Sequence, residues 1–119
     1  MNRILSLILL LPLLACSRYV VHPGSINMFD SLTADTLVSA KSLIETSQAE
    51  LANGTLKSSM RPLIDSLISA YDQAGPIYKM WHEEAKAGTS TDKTAGDLAK
   101  LKAALDALNG TITAVKGAR

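Results

Sequence analysis

The chain predicts an all-α domain, an antiparallel up-down-up bundle of three helices, and three observations predict it. Apolar residues recur at spacings of three, four and seven in a first stretch and at alternating spacings of four and three in two further ones, the period of one helix face. Asn53-Gly54 and Gly88, each a signal for ending a helix, stand between those stretches. Four prolines and seven glycines in 119 residues are too few for a disordered linker protein, and a single cysteine cannot close an intramolecular disulfide, so packing must carry the fold. Amphipathic helices joined by short polar turns bury their stripes most economically by turning them inward.

The first helix is expected to begin between Ser25 and Asp30, where Ser25, Asn27 and Asp30 can each accept from an exposed amide, and to end at Asn53-Gly54. Its stripe is Leu37, Ala40, Ile44 and Leu51, widened by Leu32, Val38 and Leu43. Lys41, Glu45 and Gln48 mark the solvated face. Ahead of it, Ser17 to Met28 has no long periodic pattern and holds Pro23-Gly24, a turn signal, so it reads as a short tether. Tyr19, Val20 and Val21 are the tether residues expected to pack back on the domain. His22 stands in this tether with no second ligand nearby, and no metal site is expected there.

The second helix carries the longest seam. Met60, Ile64, Leu67, Tyr71, Ala74, Tyr78, Trp81 and Ala85 alternate spacings of four and three without an error. Ser59 is its expected N-cap, which places Pro62 where no intrahelical amide bond is lost. Gly75-Pro76 lies inside the run, yet the seam keeps its phase from Ala74 to Tyr78; this favours one helix kinked at Gly75-Pro76 over two separate ones. The pattern stops near Gly88.

For the third helix, Thr89-Ser90-Thr91-Asp92 offers caps, with either Thr89 and Asp92 or Ser90 and Thr91 placed to act. Leu98, Leu101, Leu105, Leu108, Ile112 and Val115 form its stripe, and Lys93, Lys100, Lys102 and Asp106 its exposed face. Asn109-Gly110 should weaken the last turns by about 1 kcal/mol relative to alanines. Lys116 and Arg119 sit where a helix C-terminus favours positive charge.

The first sixteen residues have another purpose. Arg3 precedes an apolar run from Ile4 to Ala15, broken only by Ser6 and Pro12 and ending in a small residue. That is the layout of a secretory signal. A helix of twelve residues spans about 18 Å against a hydrocarbon core of about 30 Å, too short to cross comfortably. Leu13-Leu14-Ala15-Cys16 resembles the lipobox of bacterial lipoproteins. The resemblance covers residues 1–16 alone and implies a signal peptide over 1–15, a diacylglyceryl thioether on Cys16, and, with Ser17 following, placement on the outer membrane facing the periplasm. The domain organisation is then a signal peptide (1–15), a lipidated N-terminus and tether (16–28), and a helical bundle (29–119).

Losing residues 1–15 removes Arg3 and leaves eleven Lys and Arg against eleven Asp and Glu. Such balance supplies no basic stripe for phosphates, so nucleic acid is not an expected partner. His82-Glu83-Glu84-Ala85-Lys86 superficially resembles the zinc-protease helix, but Lys86 stands where that motif needs a second histidine. No glycine-flanked nucleophile elbow and no glycine-rich phosphate loop occurs, and Glu83 and Glu84 are adjacent, so they point in different directions on a helix. No catalytic residue, metal or cofactor is expected.

What remains is Tyr71, Tyr78, Met80, Trp81 and His82, which gather the aromatic character of the domain around the kink. Spacing assigns Tyr71, Tyr78 and Trp81 to the core. The alternative is a partner-binding patch made of Tyr78, Lys79, Trp81 and His82, since tyrosine and tryptophan are enriched at recognition sites. The expected function is that of a non-enzymatic, lipid-anchored envelope protein, held to the membrane through Cys16 and acting as a tether or a module for another envelope protein. The alternatives are a bundle that binds an apolar small molecule or lipid near Gly75-Pro76, and a structural oligomeric lipoprotein that pairs its seams between chains.

Overall fold

The computed structural model describes residues 21–88 and 92–119. The signal peptide expected over residues 1–15, Cys16, Tyr19 and Val20 lie outside the described residues, as do the caps expected from Thr89, Ser90, Thr91 and the Asp92 side chain. Among the described residues the fold is all-helical, with three long helices and no strand: α1 (Met28–Asn53), α2 (Arg61–Lys86) and α3 (Asp92–Ala118). None of them is long and apolar enough to cross a membrane.

Side chains and a glycine close α1 as expected. Asn27 is extended, and its Oδ1 accepts from the Asp30 amide at 2.9 Å. At the other end Gly54 takes φ +82°, a left-handed conformation that spares it the Cβ clash, and the Leu56 amide donates to the Glu50 carbonyl at 3.0 Å. Between these caps the buried face departs from expectation. Leu32 is 45% and Val38 69% exposed, and the positions turned inward include Asp30, Thr33 and Ser47. Numbered in order, 30, 33, 37, 40, 44, 47 and 51 continue the alternation of three and four through both polar and apolar residues. The seam is thus narrower than the expected stripe and partly hydroxylic. Its polar members find partners, as when the Thr33 hydroxyl donates to the Phe29 carbonyl at 2.7 Å.

The start of α2 corrects a second expectation, because Ser59 makes no capping bond. It sits in a 3₁₀ turn, Ser58–Met60, whose backbone supplies the closure: the Met60 amide donates to the Lys57 carbonyl at 3.0 Å and the Arg61 amide to the Ser58 carbonyl. Pro62 falls in the first turn of α2, where an amide has no helical partner to lose. The helix then runs unbroken through Pro76, as the phase of its seam requires. Ile64, Leu67, Ala74 and Trp81 are buried along it, with Tyr71, Tyr78 and Ala85 half-buried. α3 likewise passes through Asn109-Gly110 without interruption, burying Leu101, Leu105, Leu108 and Val115.

The core divides in two. Ala40, Ile44, Met60, Ile64, Leu67, Ala74, Leu108 and Val115 form an aliphatic cluster that draws on all three helices. Trp81, Leu101 and Leu105 form a smaller cluster, with Phe29, Tyr78 and Leu98 packed against it. At the aliphatic end Arg119 donates from Nη1 to Ser47 Oγ at 3.1 Å and pairs through Nη2 with Glu50, which ties the end of α3 to the last turns of α1.

Candidate functional site

The tether, α1 and α2 converge on one side chain, Asp30, which is 1% exposed. Its Oδ1 accepts from the Tyr78 hydroxyl at 2.6 Å and from His82 Nδ1 at 3.0 Å, while Oδ2 accepts from the Ile26 amide at 2.8 Å. An ionised carboxylate only accepts, so the proton between Asp30 and His82 belongs to Nδ1 and the imidazole tautomer is set by Asp30. Together with the Asn27 cap these bonds make a reciprocal closure of the α1 N-terminus, close to a capping box but reaching back to Ile26.

Burial alone would raise the Asp30 pKa. The Tyr78 hydroxyl, the Ile26 amide and His82, all stabilising the anion, outweigh that effect and hold the carboxyl below its ordinary value. For Tyr78 the causes act together: burial first, then the bond to Asp30 and its charge, push the phenol well above its usual range. The hydroxyl therefore stays a donor at any physiological pH.

Aromatic rings surround this carboxylate. Phe29 meets Trp81 edge to face, with centroids 5.4 Å apart and planes at 86°. Tyr78 lies 6.4 Å from Trp81 and 5.6 Å from His82. Lys102 of α3 places its ammonium 5.9 Å from the Phe29 centroid.

Of the four residues read from the sequence as a patch, the structure brings Tyr78, Trp81 and His82 together and leaves Lys79 exposed to solvent outside the cluster. Trp81, at 5% exposure, is wall rather than surface. Asp30 and Phe29 complete the constellation, and sequence reasoning saw Asp30 only as a cap. A signal was available, since extending the 3–4 alternation of α1 backwards from Ala40 and Leu37 reaches Thr33 and then Asp30.

His22, for which no metal site was expected, docks the tether. Its amide donates to Ser31 Oγ at 3.0 Å and its Nε2 lies 2.7 Å from Asp35 Oδ1, while Pro23-Gly24 turns the chain with Gly24 at φ +86°. No group of three His, Cys, Asp or Glu among the described residues is placed to hold a metal ion. Two surface grooves lie between α1 and α3, one beside Phe29, Leu32 and Leu105 and one beside Val38, Leu43 and Arg119; neither is lined by Gly75 or Pro76.

Comparison of the chain with protein-family models, with curated proteins and with solved structures returned no match.

Proposed function

We propose that the chain is a lipid-anchored, non-enzymatic protein of the bacterial envelope, acting as a tether or as a module for another envelope protein. The observation that carries this reading is the position of its sole cysteine, Cys16, directly after Leu13-Leu14-Ala15 and an apolar run led by Arg3. Several acyl chains on one residue anchor durably where a single chain holds only marginally. Confinement of the bundle to one membrane face then raises its effective concentration for neighbours on that face without any new contact.

The arrangement around Asp30 supports a positional role. It links the end of the tether at Ile26, the start of α1 and the end of α2 through one carboxylate, so the chain enters the bundle from a fixed point. We infer that the three helices run up, down and up. Phe29 at the start of α1 against Trp81 near the end of α2, and Arg119 at the end of α3 against Ser47 and Glu50 near the end of α1, support that order. A bend at Gly75-Pro76 belongs to the same reading, since Pro76 cannot donate to the carbonyl of Asp72.

Metabolic labelling with a fatty-acid analogue tests the anchor. The wild-type chain should take the label and fractionate with the outer membrane, and Cys16→Ala should lose both properties. A label that persists on Cys16→Ala overturns the reading.

A further inference from the structure

Among the described residues the exposed large apolar side chains are Val21, Ile26, Met28, Leu32, Val38 and Met80. Four of them fall within residues 21–32, at the end of the molecule nearest Cys16. Met28, 52% exposed, and Leu32, 45% exposed, are one turn apart and so stand side by side on α1. Met28 is two positions from the buried Asp30, about 200° round the helix, so it faces away from the core, with Leu32 beside it at the rim of the groove between α1 and α3. Val21 and Ile26, also exposed, lie at this same end, in the turn that is fastened to α1 by His22 on Ser31 and Asp35.

That fastening also shortens the leash. A tether of twelve residues reaches about 40 Å at most, but with His22 docked only the five steps from Cys16 to Val21 separate the anchor from the fastened turn, a span of about 18 Å at most. A helix of 26 residues is about 39 Å long, so an acyl chain on Cys16 holds this end of the bundle, and not the other, against the bilayer.

We propose that the tether end of α1 rests on the phospholipid surface, with Met28, Leu32, Ile26 and Val21 at the boundary between headgroups and acyl chains. The proposal rests on the acylation of Cys16. A short apolar patch of this kind adds to an existing lipid anchor and needs no affinity of its own. It gives the domain an orientation: the flank of α2 that carries Met80 points away from α1, since Met80 lies half a turn from both Tyr78 and His82, which face it. That flank is left open to the periplasm and to a partner.

The three methionines of the mature chain make the test. Met28 and Met80 are exposed and Met60 is buried. The full-length acylated protein, reconstituted in vesicles of phosphatidylethanolamine and phosphatidylglycerol, and the Cys16→Ala protein in solution are oxidised with hydrogen peroxide, and each sulfoxide is followed by peptide mass spectrometry. On vesicles Met28 should oxidise several-fold more slowly than in solution while Met80 keeps its rate. Met60 should stay slow in both, reporting that each protein is folded. The same digest gives the mass of the N-terminal peptide. An acylated peptide with Met28 as reactive on vesicles as in solution overturns the surface contact alone; an unacylated peptide overturns the anchor and the contact together.

Discussion

The two ends of the bundle are held by different physics. At the aliphatic end Ile44, Ile64, Leu67, Leu108 and Val115 pack without direction, and any side chain of similar shape would serve. At the tether end Trp81, Phe29, Tyr78 and His82 are arranged about a buried carboxylate, and the positions of individual donors matter. The difference teaches where specificity resides: the first end makes the helices stick, and the second decides how they are set against the tether.

The largest expected effect is at Trp81. Trp81→Ala should destabilise by about 3–5 kcal/mol, because it removes the ring that Phe29 and Tyr78 pack against and leaves a cavity at the centre of the smaller cluster. Leu67→Ala in the aliphatic cluster should cost about 2–5 kcal/mol, and Leu67→Met less than about 1.5 kcal/mol. Chemical denaturation of these three variants and of Trp81→Phe measures this. Equal losses for Trp81→Phe and Leu67→Met would erase the contrast, since the aromatic end is expected to tolerate reshaping less.

Asp30 comes next. Asp30→Ala strands the Tyr78 hydroxyl, the Ile26 amide and the His82 ring, of which the ring is partly solvated, so a loss of about 2 kcal/mol is expected. Tyr78→Phe alone should cost about 1 kcal/mol and almost nothing once Asp30 is alanine. A double-mutant cycle with no coupling would show that the bond between them adds nothing to stability.

Which parts of this were readable beforehand follows the same division. The seam of α2 from Met60 to Ala85 and that of α3 from Leu98 to Val115 were plain, because burial of apolar residues repeats with the helix period and needs no partner to be named. The α1 ends were plain too, since Asn27 and Gly54 act on their own backbone. Asp30 was not, because its side-chain partners are 48 and 52 residues away and a carboxylate on a helix start is ordinarily explained by the amides beside it. Leu32 and Val38 misled for the opposite reason: apolar residues flanking a stripe look like part of it, although the polar Thr33 and Ser47 hold the inward positions. The docking of His22 on Ser31 and Asp35 was not legible, because it depends on a turn whose direction periodicity does not give.

Acid and alkali should both attack the tether end, by separate groups. Asp30 has a folded pKa below its unfolded value of 3.8, so its contribution is present above that value and is lost as the pH falls through the folded pKa. Tyr78 has a folded pKa raised above its unfolded value of 10.0, so its contribution is complete below pH 10 and is lost as the pH climbs beyond it. Thermal melts across pH should therefore show a shallower acid limb in Asp30→Asn and a shallower alkaline limb in Tyr78→Phe, and because each group supports the other's shift, each variant should also flatten the other limb in part. Parallel curves for wild type and both variants would mean that neither group is linked to folding.

The smallest effect is expected at the aliphatic end, where the Arg119 clasp is the directional counterpart of Asp30. Arg119 and Glu50 keep 28% and 21% of their side chains exposed, so water and salt screen the pair, and Arg119→Ala should cost about 1 kcal/mol or less. Ser47 loses a donor in that variant, but its own hydroxyl can turn to the carbonyl four residues back, which limits the penalty for a buried group. The loss should shrink further at high salt, whereas the Asp30 loss, set in a buried site, should hardly change. Denaturant titrations of Arg119→Ala and Asp30→Ala at low and high ionic strength compare the two clasps directly. A salt response of equal size in both would mean that Asp30 is more open to solvent than its 1% exposure indicates, and the contrast between the two ends would then be one of composition alone.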